Sequence, residues 1–149
     1  MRMRYWYLLA LIGGSLISLV PAWFITKLVE HFPSLKPQEL SQVSDFLSGE
    51  LSLIHVIFAT IIIFVSPVLE EAIFRGLLWR VASLVFSDKV TWIVTSLLFA
   101  AVHMDPIHIL GLIPFSFFAG WLKLRTGKLL PSILAHIANN AVAFALMVQ

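Results

Sequence analysis

The sequence predicts an all-α fold, a polytopic transmembrane helix bundle with about five spanning helices. Three observations predict it. Of the 149 residues, 60% are hydrophobic and only 12% charged, where a soluble domain carries about 25% charged residues. Mean hydropathy is +0.96. The apolar residues are gathered into runs separated by short polar turns, and most runs approach the ~20 residues that a helical crossing requires. The length suits a single membrane domain over residues 1–149.

The first span is predicted at Tyr7–Val29. Met1-Arg2-Met3-Arg4 before an apolar run has the look of a signal peptide. The run is longer than a usual signal core and no small-x-small site follows, so it reads as an uncleaved span. The polar stretch His31–Glu50 comes next. Pro37 is placed to open a short interfacial helix, with Leu40, Val43, Phe46 and Leu47 on one face. The second helix is predicted from Leu51 to Val85, longer than one crossing needs. The third, Val90–His103, is short and is stopped by Asp105-Pro106. The fourth covers Ile107–Leu122, Arg125-Thr126-Gly127-Lys128 makes a turn, and the fifth runs over Leu129–Val148.

Charge predicts the orientation. With the N-terminus in the cytoplasm and five crossings, Arg2, Arg4, Arg80, Lys89, Lys123, Arg125 and Lys128 share the cytoplasmic side. Lys27 and Lys36 fall opposite, with Glu30, Glu39, Asp45, Glu50 and Asp105. Trp6, Trp79, Trp92 and Trp121 then lie near the cytoplasmic interface, as an aromatic belt does. No basic cluster suggests nucleic acid. The absence of cysteine excludes disulfides and thiolate metal sites. Oligomeric state is left open.

Against this apolar background, Glu70-Glu71-Ala72-Ile73-Phe74-Arg75-Gly76 places three charges inside a spanning segment. Charges in hydrocarbon cost several kcal/mol unless paired, so they mark function by default. Glu71 and Arg75 have the spacing and order of a favourable helical ion pair and are read as a structural support. That pairing frees Glu70, about 100° around the helix, for another role. Three more polar residues lie in apolar segments: His103, His136 and Asn140. At ~1.5 Å rise per residue, Glu70 is about 15 Å in from Arg80, His103 about 21 Å from Lys89, and His136 and Asn140 about 12 and 18 Å from Lys128. All four therefore share one layer near the middle of a core about 30 Å thick. Asn139 is assigned to packing, and His31, His55 and His108 to ordinary structural roles.

Two chemistries fit these residues. In one, Glu70 and His103 activate a water while His136 and Asn140 hold an oxyanion. In the other, Glu70, His103 and His136 bind a zinc ion. There is no HExxH, no GxSxG and no paired-aspartate motif. A non-catalytic membrane immunity or scaffold protein is the alternative from another class. A proton-coupled transporter would call for inverted repeats and broken helices, and no internal repeat is visible.

The three motifs resemble those of the CPBP family, the CAAX-protease and bacteriocin-processing (Abi) intramembrane proteases. The EExxxR motif, often EExxFRG, is matched by Glu70 to Gly76, FxxxH by Phe99 to His103, and HxxxN by His136 to Asn140. Gly120-Trp121-Leu122 and Thr126-Gly127-Lys128-Leu129 also look like the family. The likeness covers a catalytic core at about residues 51–144, as in a short prokaryotic relative of the type II CAAX prenyl endopeptidases. It implies an integral protein of a prokaryotic inner membrane that hydrolyses a peptide bond within or beside the bilayer. It further implies a metal-free, glutamate-dependent mechanism without cofactor. Glu70 and His103 would be the activating pair, and His136 and Asn140 the oxyanion side. The chain is much shorter than the eukaryotic prenyl-protein proteases, which favours other C-terminal or membrane-anchored peptides as substrates, such as sorting signals or bacteriocin leaders.

Overall fold

The computed structural model describes residues 3–35, 42, 45–46 and 52–147. All regular structure among them is helical, in five principal helices. α1 is Met3–His31, followed by a 3-10 turn at Pro33–Leu35. α2 is Leu53–Ala82, α3 Asp88–Ala101, α4 Pro106–Thr126 and α5 Leu130–Met147. Of these, α1, α2 and α4 are long and apolar enough to cross a membrane. α5, with 18 residues, rises about 27 Å, and α3, with 14, about 21 Å. The proposed interfacial helix lies mostly outside the described residues.

Local chemistry explains most boundaries. Asp105 is extended ahead of Pro106 and accepts the Ile107 and His108 N–H groups, 2.9 Å each, so it caps α4. α4 ends on Gly127 at φ 67°, the left-handed conformation glycine adopts without strain. Ser52 begins α2 with a reciprocal cap to His55, whose other ring nitrogen lies 2.9 Å from the Phe46 carbonyl. His55 thus fastens the start of α2 to the preceding segment.

One boundary differs from expectation. α3 stops at Ala101, so His103 stands beyond the helix, in a turn closed by Met104 at φ 61°. The chain has only a few residues in which to reverse before Asp105, and Pro106 keeps Asp105 out of the helical region. The reversal therefore falls on residues 102–104.

α1 packs on α5 and α4, α3 packs on α4, and α2 contacts α5 and α3. The α1–α5 approach is close. Gly14 is buried against Ala135, and a side-chain carbon at Gly14 would overlap the Ala135 carbonyl. Between α1 and α4 the Trp6 and Trp121 rings meet edge to face at 5.6 Å. Phe99 is central to the core, with ring centroids 5.2 Å from Phe74, 6.0 Å from Phe115 and 5.5 Å from His136. Leu53, Ile54, Val56, Ile57, Ile61 and Phe64 are exposed on α2, an apolar surface of the kind that lipid covers.

Candidate functional site

α2 is a continuous helix that widens twice. Over Ile61–Val65 and Ala72–Leu78 the backbone bonds lengthen to five residues: Ser66 N–H reaches Ile61 O, and Trp79 N–H reaches Phe74 O. The short regular stretch between them, Ser66–Glu71, carries both glutamates. Widened turns of this kind recur at functional sites. No periodicity in the sequence announced them.

Glu71 and Arg75 form the expected pair. Both side chains are 0% exposed, and Nη1 donates to Oε1 at 3.2 Å. Arg75 does more than balance one charge. Its Nη2 donates to the Ser116 carbonyl at 2.8 Å and lies 3.0 Å from Ser116 Oγ, and its guanidinium lies 4.3 Å over the Phe99 ring. Ser116 Oγ in turn donates to Ser96 O at 2.7 Å, and Ser96 Oγ to Ser116 O at 3.2 Å. One buried arginine therefore joins α2 to α4, and through it to α3. A planar fork with several donors suits this task, and lysine does not.

His136 reaches the same carboxylate from α5. Its Nδ1 lies 3.1 Å from Glu71 Oε1. A carboxylate only accepts, so the Nδ1 proton belongs to histidine and donates to Glu71. That fixes the ring and turns Nε2 toward Glu70, 3.9 Å from its Oε2. Glu71 and Glu70 thus address opposite edges of one imidazole, which the helical-wheel separation of the two glutamates did not suggest. Phe115, 4.7 Å away between centroids, and Phe99 enclose the ring. Glu70 is 28% exposed, and Ser66 Oγ donates to its Oε1 at 2.7 Å.

Asn140, one turn beyond His136, also faces α2. Its Nδ2 donates to Ile62 O at 2.9 Å, and its Oδ1 accepts from Asn139 Nδ2 at 3.2 Å. Asn139 therefore orients Asn140 besides packing. His103 keeps its Nδ1 3.0 Å from Phe99 O, with its ring 5.4 Å from Phe99 and 5.2 Å from His108. The structure thus gathers Glu70, Glu71, Arg75, His136 and Asn140 at the α2–α5 contact, with His103 just past the end of α3, its ring beside those of Phe99 and His108. Among the described residues, no three His, Cys, Asp or Glu side chains converge as a metal-binding set.

Sequence reasoning missed Ser66, Ser96 and Ser116. Ser66 had a signal in retrospect, since it lies one turn before Glu70. The two other serines had none, because serine in a spanning helix is common.

A helical bundle with three helices long and apolar enough to cross a membrane, and a buried Glu–His–Arg cluster, defines an integral membrane protein with an ionisable site inside its apolar core. Residues 52–142 match the family model described as type II CAAX prenyl endopeptidase Rce1-like, and the chain belongs to that family. Membership makes it an intramembrane protease of CAAX type at family level. No curated protein and no solved structure matches the chain.

Asn140 has a structural duty besides any catalytic one. Asn140→Ala is expected to slow turnover by about 10²–10³-fold, as for one oxyanion donor. It should also lower stability by about 1–3 kcal/mol, because Ile62 O is left unpaired. Turnover and thermal unfolding of the same variant check both effects.

Proposed function

We propose that the protein hydrolyses a peptide bond in a membrane-anchored or C-terminal segment, by a water that Glu70 activates. Glu70 takes a proton from water with the help of His103, and the resulting hydroxide adds to the carbonyl carbon. The oxyanion is held by His136 Nε2–H and by the second amide N–H of Asn140. For this step the imidazole carries protons on both nitrogens, so Arg75 and His136 face two anions throughout: Glu71 and Glu70 at the start, and Glu71 and the oxyanion once Glu70 has taken the proton. Collapse breaks the C–N bond, and Glu70 returns the proton to the leaving amine. The observation that carries this reading is the imidazole held by Glu71 through Nδ1, with Nε2 turned toward Glu70. An N-terminus in the cytoplasm accompanies it, supported by the charge bias of the flanking residues, and a prokaryotic inner membrane, supported by the resemblance to short prokaryotic family members.

The test uses purified protein in liposomes with two quenched peptides. One ends in a farnesylated Cys-aliphatic-aliphatic-Met sequence. The other carries an acyl anchor and no prenyl group. Cleavage of the acyl-anchored peptide is expected, with or without cleavage of the farnesylated one. A strong chelator should leave the rate unchanged, since the groups invoked belong to the chain. Reversible loss on chelation, restored by zinc, would replace this reading with the metal-dependent one. Failure to cleave either peptide would favour a non-catalytic role.

A further inference from the structure

The Ser66 hydroxyl donates to the Glu70 carboxylate, and the geometry explains why it points there. Serine and threonine in helices commonly bond the carbonyl four residues back. Thr60 and Thr95 do so in this chain, to Val56 O and Thr91 O at 2.8 Å each. For Ser66 that carbonyl belongs to Ile62, and Asn140 Nδ2 already holds it at 2.9 Å.

The reason Ile62 O needs a partner is local. Over the widened turn its backbone donor would come five residues later, from residue 67. That residue is Pro67, which has no N–H. The Ser66 N–H is itself given to Ile61 O. Asn140 from α5 satisfies the stranded carbonyl, and the Ser66 hydroxyl turns forward to Glu70 Oε1 at 2.7 Å.

We infer that Ser66 is a positioning residue: its hydroxyl holds Glu70 Oε1 and so directs Oε2 toward His136 Nε2. The inference rests on the reading of Glu70 as the base. A glutamate side chain that is 28% exposed, as Glu70 is, otherwise turns freely about its last bond. Fixing one oxygen leaves the other with a single direction in which to meet water and imidazole. A hydrogen bond to a charged group is stronger than one between neutral groups, enough to hold that rotamer.

The experiment compares wild type, Ser66→Ala, Ser66→Thr and Glu70→Gln, purified as the full chain in liposomes, with the acyl-anchored quenched peptide as probe. Infrared spectra of the same samples report the Glu70 carboxylate band, assigned by its loss in Glu70→Gln. Ser66→Ala is expected to lower kcat by about tenfold or more, with KM and thermal stability unchanged. The band should shift in Ser66→Ala. Ser66→Thr should restore both rate and band. Wild-type kcat with an unshifted band in Ser66→Ala overturns the inference, as does an equal loss in the alanine and threonine variants. An inactive Glu70→Gln beside a fully active Ser66→Ala removes this inference alone. An active Glu70→Gln removes the glutamate reading, and this inference with it.

Discussion

Glu70→Gln is expected to abolish peptide cleavage while the protein remains folded in the membrane. Glutamine is nearly isosteric and still accepts the Ser66 hydroxyl through its carbonyl oxygen. It cannot take a proton from water, and general-base catalysis of this kind is worth about 10²–10⁴-fold. The surrounding packing does not depend on the charge. The buried ion pair is made by Glu71, and Glu70 is the more exposed of the two carboxylates. Turnover and thermal unfolding of the purified variant check the expectation, and wild-type turnover would remove Glu70 from the mechanism.

The second large effect belongs to Glu71. Glu71→Ala leaves Arg75 buried at 0% exposure without its counter-charge, a change that costs about 3–5 kcal/mol when one partner of a buried pair is removed. It also frees the His136 ring, whose Nδ1 lies 3.1 Å from Glu71 Oε1. The variant is therefore expected to lose thermal stability and activity together. Exchanging the two charges should not rescue it. An arginine at position 71 would set a cation against His136 Nδ1, and a glutamate at position 75 could not donate to Ser116 O as Arg75 Nη2 does at 2.8 Å. Thermal unfolding in detergent measures the first loss. Equal stability of Glu71→Ala and wild type would show that the pair supports nothing.

The helices were legible because lipid demands long apolar runs, and α1, α2, α4 and α5 follow theirs to within a few residues at most ends. The end of α3 was less legible. Apolar residues continue to Val102, so hydropathy carried the helix past Ala101, whereas the reversal is dictated by Asp105-Pro106 and taken up by Met104. The Glu71–Arg75 pair could be read from spacing alone, since it lies within one helix. The contact of His136 with both glutamates could not, because it depends on how α5 is turned against α2. The two widened turns were also hidden. They shift the faces of α2 by a fraction of a turn, and only Pro67, with its missing N–H, marks where one of them ends. Asn140 shows the same limit: its residue type suggested an oxyanion donor, but not the Ile62 carbonyl it already supports.

The most direct measurement is mass spectrometry of the acyl-anchored peptide after incubation, in water enriched in oxygen-18, with purified protein in liposomes under a strong chelator. Two fragments are expected, with one heavy oxygen in the new carboxyl group, and none with Glu70→Gln. Cleavage that persists in Glu70→Gln, or that appears only when zinc is restored, would contradict a glutamate-activated water.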